Sequence, residues 1–176
     1  MRSTTTEVAE RMRSYALGLA EDATILAEML DSSGDGQHIL STLSMEILMK
    51  AVGLVESGID GRAFGHNYLA LWQALSPATR AEVLNLAGPR NPGLANLAII
   101  EHALAAWEYA FTRGRYPYEV NRELTDAEVA ARGATWAAAG APLTEAATDF
   151  MYYPNEQDSL IFGIRGWLSA RIGAET

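Results

Sequence analysis

Residues 37–57, QHILSTLSMEILMKAVGLVES, decide how this chain folds. On a helical wheel, Leu40, Leu43, Ile47, Leu48, Ala51, Val52, Leu54 and Val55 cover more than half of the circumference. Only a narrow strip of Thr42, Glu46, Lys50 and Gly53 is polar or small. A helix apolar over most of its girth belongs in the middle of a bundle, because a rim helix needs a wide wet face. Gly58 ends it. Glu46 and Lys50 stand four apart in the favourable order and read as a surface or inter-helix pair, worth about 0.2–0.5 kcal/mol if exposed.

The flanking segments follow the same period. Thr4 and Glu7 form a capping box, and Val8, Met12, Tyr15, Leu19, Ala23, Leu26 and Leu30 then recur at steps of three and four. SSGDG at 32–36 stops that first helix. After helix two, GIDGRAFGHN makes a loop, and Asn67 or His66 caps YLALWQAL. Ser76 and Pro77 are an N-cap and N1 pair for ATRAEVLNLA, and GPRNPG is a loop.

From about Leu94 to Arg113 two rows share one helix. Leu97, Ile100, Leu104, Trp107 and Phe111 form a core row. Ile99, His102, Ala106, Tyr109 and Arg113 form a mixed row, suited either to a subunit interface or ligand-facing wall, or to a second core contact with a rim. Residues 125–153 read as one or two alanine-rich helices, opened by a capping box at TDAE and packed loosely or against a partner. The final amphipathic helix, 158–172, carries Gly163 and Gly166, which allow another helix close. Trp72, Trp107, Trp136 and Trp167 are core or interface residues by default. The expected fold is all-α, an up-and-down bundle of about five to seven helices in a single domain over 1–176.

Composition narrows the chemistry. A net charge of −9, from 22 acidic against 13 basic residues with Lys50 the sole lysine, argues against a broad basic surface for DNA. With no cysteine there is no disulfide, thiolate ligand or cysteine nucleophile. No apolar run reaches the roughly 18 to 20 residues of a membrane span, and MRSTTTEVAERMRS lacks the apolar core of a secretory signal. These traits fit a cytoplasmic protein with no membrane partner.

Neither a metal nor another cofactor is expected. No Glu-x-x-His precedes His38, His66 or His102, there is no His-Glu-x-x-His, and DSSGDG is too short for an EF-hand loop. SSGDGQH has no following Lys-Ser/Thr, so it is a turn rather than a phosphate loop. No histidine accompanies a recognisable serine elbow.

The segments MEILMKAVGLVESG, GHNYLALWQALSPATRAEV and LAAWEYAFTRGRYPYE resemble the HEPN superfamily of bacterial helical proteins. The likeness rests on Glu46, Lys50 and Ala51, on Gly65, His66, Asn67 and Leu71, and on the tail of Arg115, Tyr116, Tyr118 and Glu119. It covers about residues 40–120 and leaves 120–153 as a family-atypical insertion. It implies a bundle of four or five helices, often dimeric. Members are RNA-cleaving toxins or defence proteins, partners of nucleotidyltransferases, or nucleotide-binding and scaffolding modules. The ribonucleases carry an arginine followed, after four to six residues, by a histidine, and the paired motifs meet across a dimer interface.

This chain lacks that spacing. After Arg115 the required positions hold Val120, Asn121 and Arg122, and after Arg113 they hold Tyr118, Glu119 and Val120. Upstream of His102 they hold Ala95, Asn96 and Leu97, and upstream of His66 they hold Ile59, Asp60 and Gly61. His66 is therefore either a ligand or catalytic group at the mouth of the bundle, or a helix-entry residue whose imidazole bonds a loop carbonyl beside the Asn67 cap. Arg113, Arg115 and Tyr116 are either cations and an aromatic finishing a helix C-terminus, or a clamp for an anion. The expected function is a non-catalytic, HEPN-like homodimeric module in a stress or defence system such as toxin–antitoxin, binding a partner protein or a nucleotide-like anion. The alternative is an RNA-cleaving toxin with a relocated site drawn from Arg113, Arg115 and His66 or His102.

Overall fold

The computed structural model describes residues 3–29, 35–91, 93, 97–114, 123–140 and 152–172. Among them are seven α-helices and no strand: α1 (Thr5–Met29), α2 (Asp35–Ser57), α3 (Tyr68–Ala74), α4 (Pro77–Ala87), α5 (Ile100–Tyr109), α6 (Asp126–Ala138) and α7 (Pro154–Ile172). The protein is an all-α helical bundle. Short 3₁₀ turns at Gly61–Phe64, Gly88–Arg90 and Leu97–Ile99 link the helices, and α5 runs on into a π-helical turn, Ala110–Gly114.

Four of the expected caps form, that of α3 at Asn67 and three others. Thr4 and Glu7 bond each other's backbone N–H at 3.2 and 2.7 Å, and Thr125 and Glu128 do the same at α6. Ser76 Oγ accepts from Thr79 N at 3.2 Å with Pro77 at N1.

α2 sits centrally, with α1 and α7 against it. Met45, Leu48, Met49, Ala51 and Val52 are wholly buried, and Ile39, Leu43, Ile47 and Val55 pack partly buried around them. By length and mean hydropathy (1.4), Gly36–Ser57 could cross a membrane, which a search for unbroken apolar runs overlooks. In the bundle half of that stretch is buried against other helices, as a core helix would be.

The expected stripe of α1 holds at Leu19 and Ala23 and shifts toward the start of the helix; Leu30 lies outside the described residues. Ala9, Arg13, Ala16, Leu19 and Ala23 face inward, whereas Tyr15 is exposed and Val8, Met12 and Leu26 are only half-buried. The alanines at seven-residue spacing let α1 approach α2 closely, and Ser44 Oγ donates to the Ala16 carbonyl at 2.7 Å across that contact. The larger side chains flank the seam.

The core row of α5 lies where its spacing places it, with Leu97, Ile100, Leu104, Trp107 and Phe111 all buried. Trp72 and Trp167 join it, but Trp136 on α6 does not. Gly163 of α7 packs on α4 so closely that a Cβ there would overlap the Val83 carbonyl and the Ala87 side chain. Gly166 faces Leu86 of the same helix.

Candidate functional site

The polar strip of α2 does not face water. Thr42 and Glu46 are buried and Lys50 nearly so, forming a polar seam inside the bundle. Burying a carboxylate without compensating donors is costly, so Glu46 needs partners on both oxygens. Lys50 Nζ donates to Oε1 at 2.6 Å, and His66 Nδ1 meets Oε2 at 2.8 Å. Lys50 also donates to the Gly65 carbonyl at 2.9 Å. Two cation-forming side chains thus clasp the 61–67 loop onto α2 through one buried acid.

Backbone geometry delivers His66 to that point. Asp60 caps the 3₁₀ turn by accepting from Arg62 N at 3.0 Å, and Gly65 takes a positive φ of 54°. Asn67 then caps α3, its Oδ1 accepting from Ala70 N at 2.8 Å, as the sequence predicts. The expected bond from the imidazole to a loop carbonyl is replaced: the imidazole meets Glu46, and the lysine takes the carbonyl. The physical reason is that water can satisfy an exposed carbonyl, whereas a buried carboxylate has to be satisfied by protein donors.

Beneath the clasp lies Tyr68. Its hydroxyl is buried without a well-aligned hydrogen bond. Burial, and then the neighbouring Glu46 charge, hold the phenol far above its usual ionisation range. Its backbone N–H donates to Glu108 Oε2 of α5 at 3.2 Å. The π-helical turn brings Phe111 against the His66 ring, with centroids 4.8 Å apart, and against Tyr68 at 6.3 Å.

Toward the start of α2 the seam continues. Thr42 Oγ1 lies 2.9 Å from the Tyr152 hydroxyl and accepts from Gln157 Nε2 at 3.0 Å, while Ser41 Oγ donates to Gln157 Oε1 at 2.8 Å. His38 stacks on Tyr152 at 3.6 Å between centroids, and Trp107 Nε1 donates to the Tyr152 carbonyl at 2.7 Å. Tyr153 follows at a positive φ of 41°, a costly conformation for a bulky residue, held here by the bonds on either side of it.

The other residues singled out from the sequence are not gathered at this seam. His102 lies exposed on α5, away from the helix's buried row. Ile99 and Tyr109 are 56% and 43% exposed on the same mixed row, with Ala106 half-buried between them. The backbone of Arg113 belongs to the π-helical turn, but its side chain, together with Arg115 and Tyr116, lies outside the described residues. Among the described residues no three His, Asp or Glu side chains gather as a metal would require. Thr42, Gln157, Tyr152 and Tyr68 were not foreseen as a group. A four-residue step of polar groups (Thr42, Glu46, Lys50) on an otherwise apolar helix was the available signal.

Chemically, an imidazole oriented by a carboxylate can act as a base, but here Lys50 shares that carboxylate. No nucleophilic side chain is hydrogen-bonded to His66 among the described residues. No family model, curated protein or solved structure matches the chain.

Proposed function

We propose that the protein is a non-catalytic, HEPN-like helical module that acts as a dimer in the cytoplasm and binds a partner protein within a stress or defence system. One observation carries this reading: His66, the best-placed acid–base candidate, is used to fasten the 61–67 loop to buried Glu46 alongside Lys50. The side chain does structural work that the fold requires. The mixed row of α5, with Ile99, His102 and Tyr109 exposed, is the surface offered to the partner.

A second reading has one feature in its favour. With Nδ1 turned to Glu46, the other ring nitrogen of His66 makes no hydrogen bond among the described residues, as an RNA-cleaving toxin with a site drawn from Arg113, Arg115 and His66 or His102 would need. RNA degradation by the purified protein separates the two, run beside His66→Ala, His102→Ala and Arg115→Ala with light scattering on each sample. The binding reading expects intact RNA from a folded dimer. Cleavage that disappears in one of the variants overturns it and makes the protein a ribonuclease.

A further inference from the structure

α1 and α7 both pack on α2 and leave a groove of about 730 Å³ between them. That is within the range of small-molecule sites, about 300–1,000 Å³. The two helices run antiparallel, since Arg13 near the start of α1 bonds Ser169 near the end of α7 at 3.0 Å. Counted from that contact, Arg165 of α7 stands level with Leu17, and Glu21 of α1 one turn further along, opposite Ile161. The two charges therefore line opposite walls, about 6 Å apart along the axis. Neither side chain makes a hydrogen bond or an ion pair among the described residues.

Between the charges the lining is apolar. Ala20, Ala23 and Ile161 form it, the last two buried, and a Cβ added at Gly18 would meet nothing within 4 Å. Such a strip gains by covering methylene groups. Asp158 also lines the groove, but Arg90 holds it at 3.2 Å, so Glu21 is the acid left to a ligand. Gln157, buried toward the same end, is fixed by Ser41 and Thr42, and its Oε1 keeps a second acceptor position beside the one that Ser41 fills.

We infer that this groove is a binding site for a small aliphatic zwitterion, with its carboxylate on Arg165, its ammonium on Glu21 and its methylene chain along Ala20, Ala23 and Ile161. A guanidinium offers a carboxylate two parallel N–H donors, and a carboxylate accepts a charge-assisted bond from an ammonium. An anion alone leaves Glu21 unanswered, and a cation alone leaves Arg165 so. The pair selects a ligand that carries both ends. This site goes beyond the partner-binding reading, which uses the row on α5.

Titration calorimetry of the full chain with 6-aminohexanoate tests the site, beside hexanoate and hexylamine, which each lack one charged end. Saturable binding of 6-aminohexanoate is expected, with hexanoate and hexylamine at least about tenfold weaker. Arg165→Gln should weaken 6-aminohexanoate at least about tenfold and leave hexylamine as it was. Glu21→Gln should weaken it by a similar factor and leave hexanoate as it was. Both side chains are exposed, so each variant should keep its helical circular dichroism. Gly18→Leu fills the groove without touching either charge and should abolish binding. No binding of 6-aminohexanoate at millimolar concentration overturns the site. Binding that survives both charge substitutions overturns it too, as does hexanoate or hexylamine bound as tightly as 6-aminohexanoate.

Discussion

Replacing Glu46 by glutamine tests the clasp most directly. The substitution keeps the shape and removes the charge, leaving Lys50 Nζ and His66 Nδ1, now 2.6 and 2.8 Å from an acid, facing a neutral amide. Removing one partner of a fully buried ion pair costs about 3–5 kcal/mol. Here the remaining partners are only partly enclosed, Lys50 at 16% and His66 at 44% side-chain exposure, so both can turn toward water. The cost therefore falls below that range, at about 2 kcal/mol, and consists mainly of the loop contacts given up as Lys50 releases the Gly65 carbonyl. For a chain of this size the melting temperature should fall by roughly 4–8 °C. Urea unfolding gives the free energy, and amide exchange over 61–67 locates the loss: those residues should exchange faster while α5 keeps its protection. A Glu46→Gln protein within 0.5 kcal/mol of wild type, with unchanged exchange in the loop, would refute the clasp.

Other expectations follow from the same geometry. Gly163→Ala forces a Cβ into the Val83 carbonyl and Ala87, so calorimetry should show about 1–3 kcal/mol of destabilisation. Tyr68→Phe deletes a buried hydroxyl that has no well-aligned partner, so urea unfolding should show no loss of stability, or a gain of up to about 1 kcal/mol; a clear loss would mean the hydroxyl is bonded. Asp60, held by the Arg62 guanidinium and backbone, should titrate at about 2 by NMR and return toward 3.8 in Arg62→Ala. Because that folded value is depressed, its contribution to stability is present above about pH 4 and disappears as pH falls toward 2. Ser76→Ala removes the α4 cap and should cost about 1 kcal/mol in thermal unfolding.

The local features of the chain are written in its residues. Helix content, the caps at Thr4, Asn67, Ser76 and Thr125, and the buried row from Leu97 to Phe111 all depend on neighbours within a turn or two, so periodicity and capping chemistry reveal them. Gly163 and Gly166 likewise announce a close helix, although the sequence does not say which one; α4 is supplied by the fold.

Tertiary structure decided what those features face. A wheel drawn for α2 alone leaves Glu46 and Lys50 as either a surface or an inter-helix pair, because an isolated helix does not show what its polar strip will meet. In the bundle Tyr152, Gln157 and His66 arrive from positions 20 to 116 residues away in the chain and satisfy the strip from outside α2. The same holds in part for α1, where Leu19 and Ala23 of the expected stripe are buried but Ala9, Arg13 and Ala16 join them in place of Tyr15. Composition and spacing fix which residues prefer helix. Whether a polar group is buried is settled by the donors and acceptors that distant segments bring to it, and that pairing has no signature within a single turn.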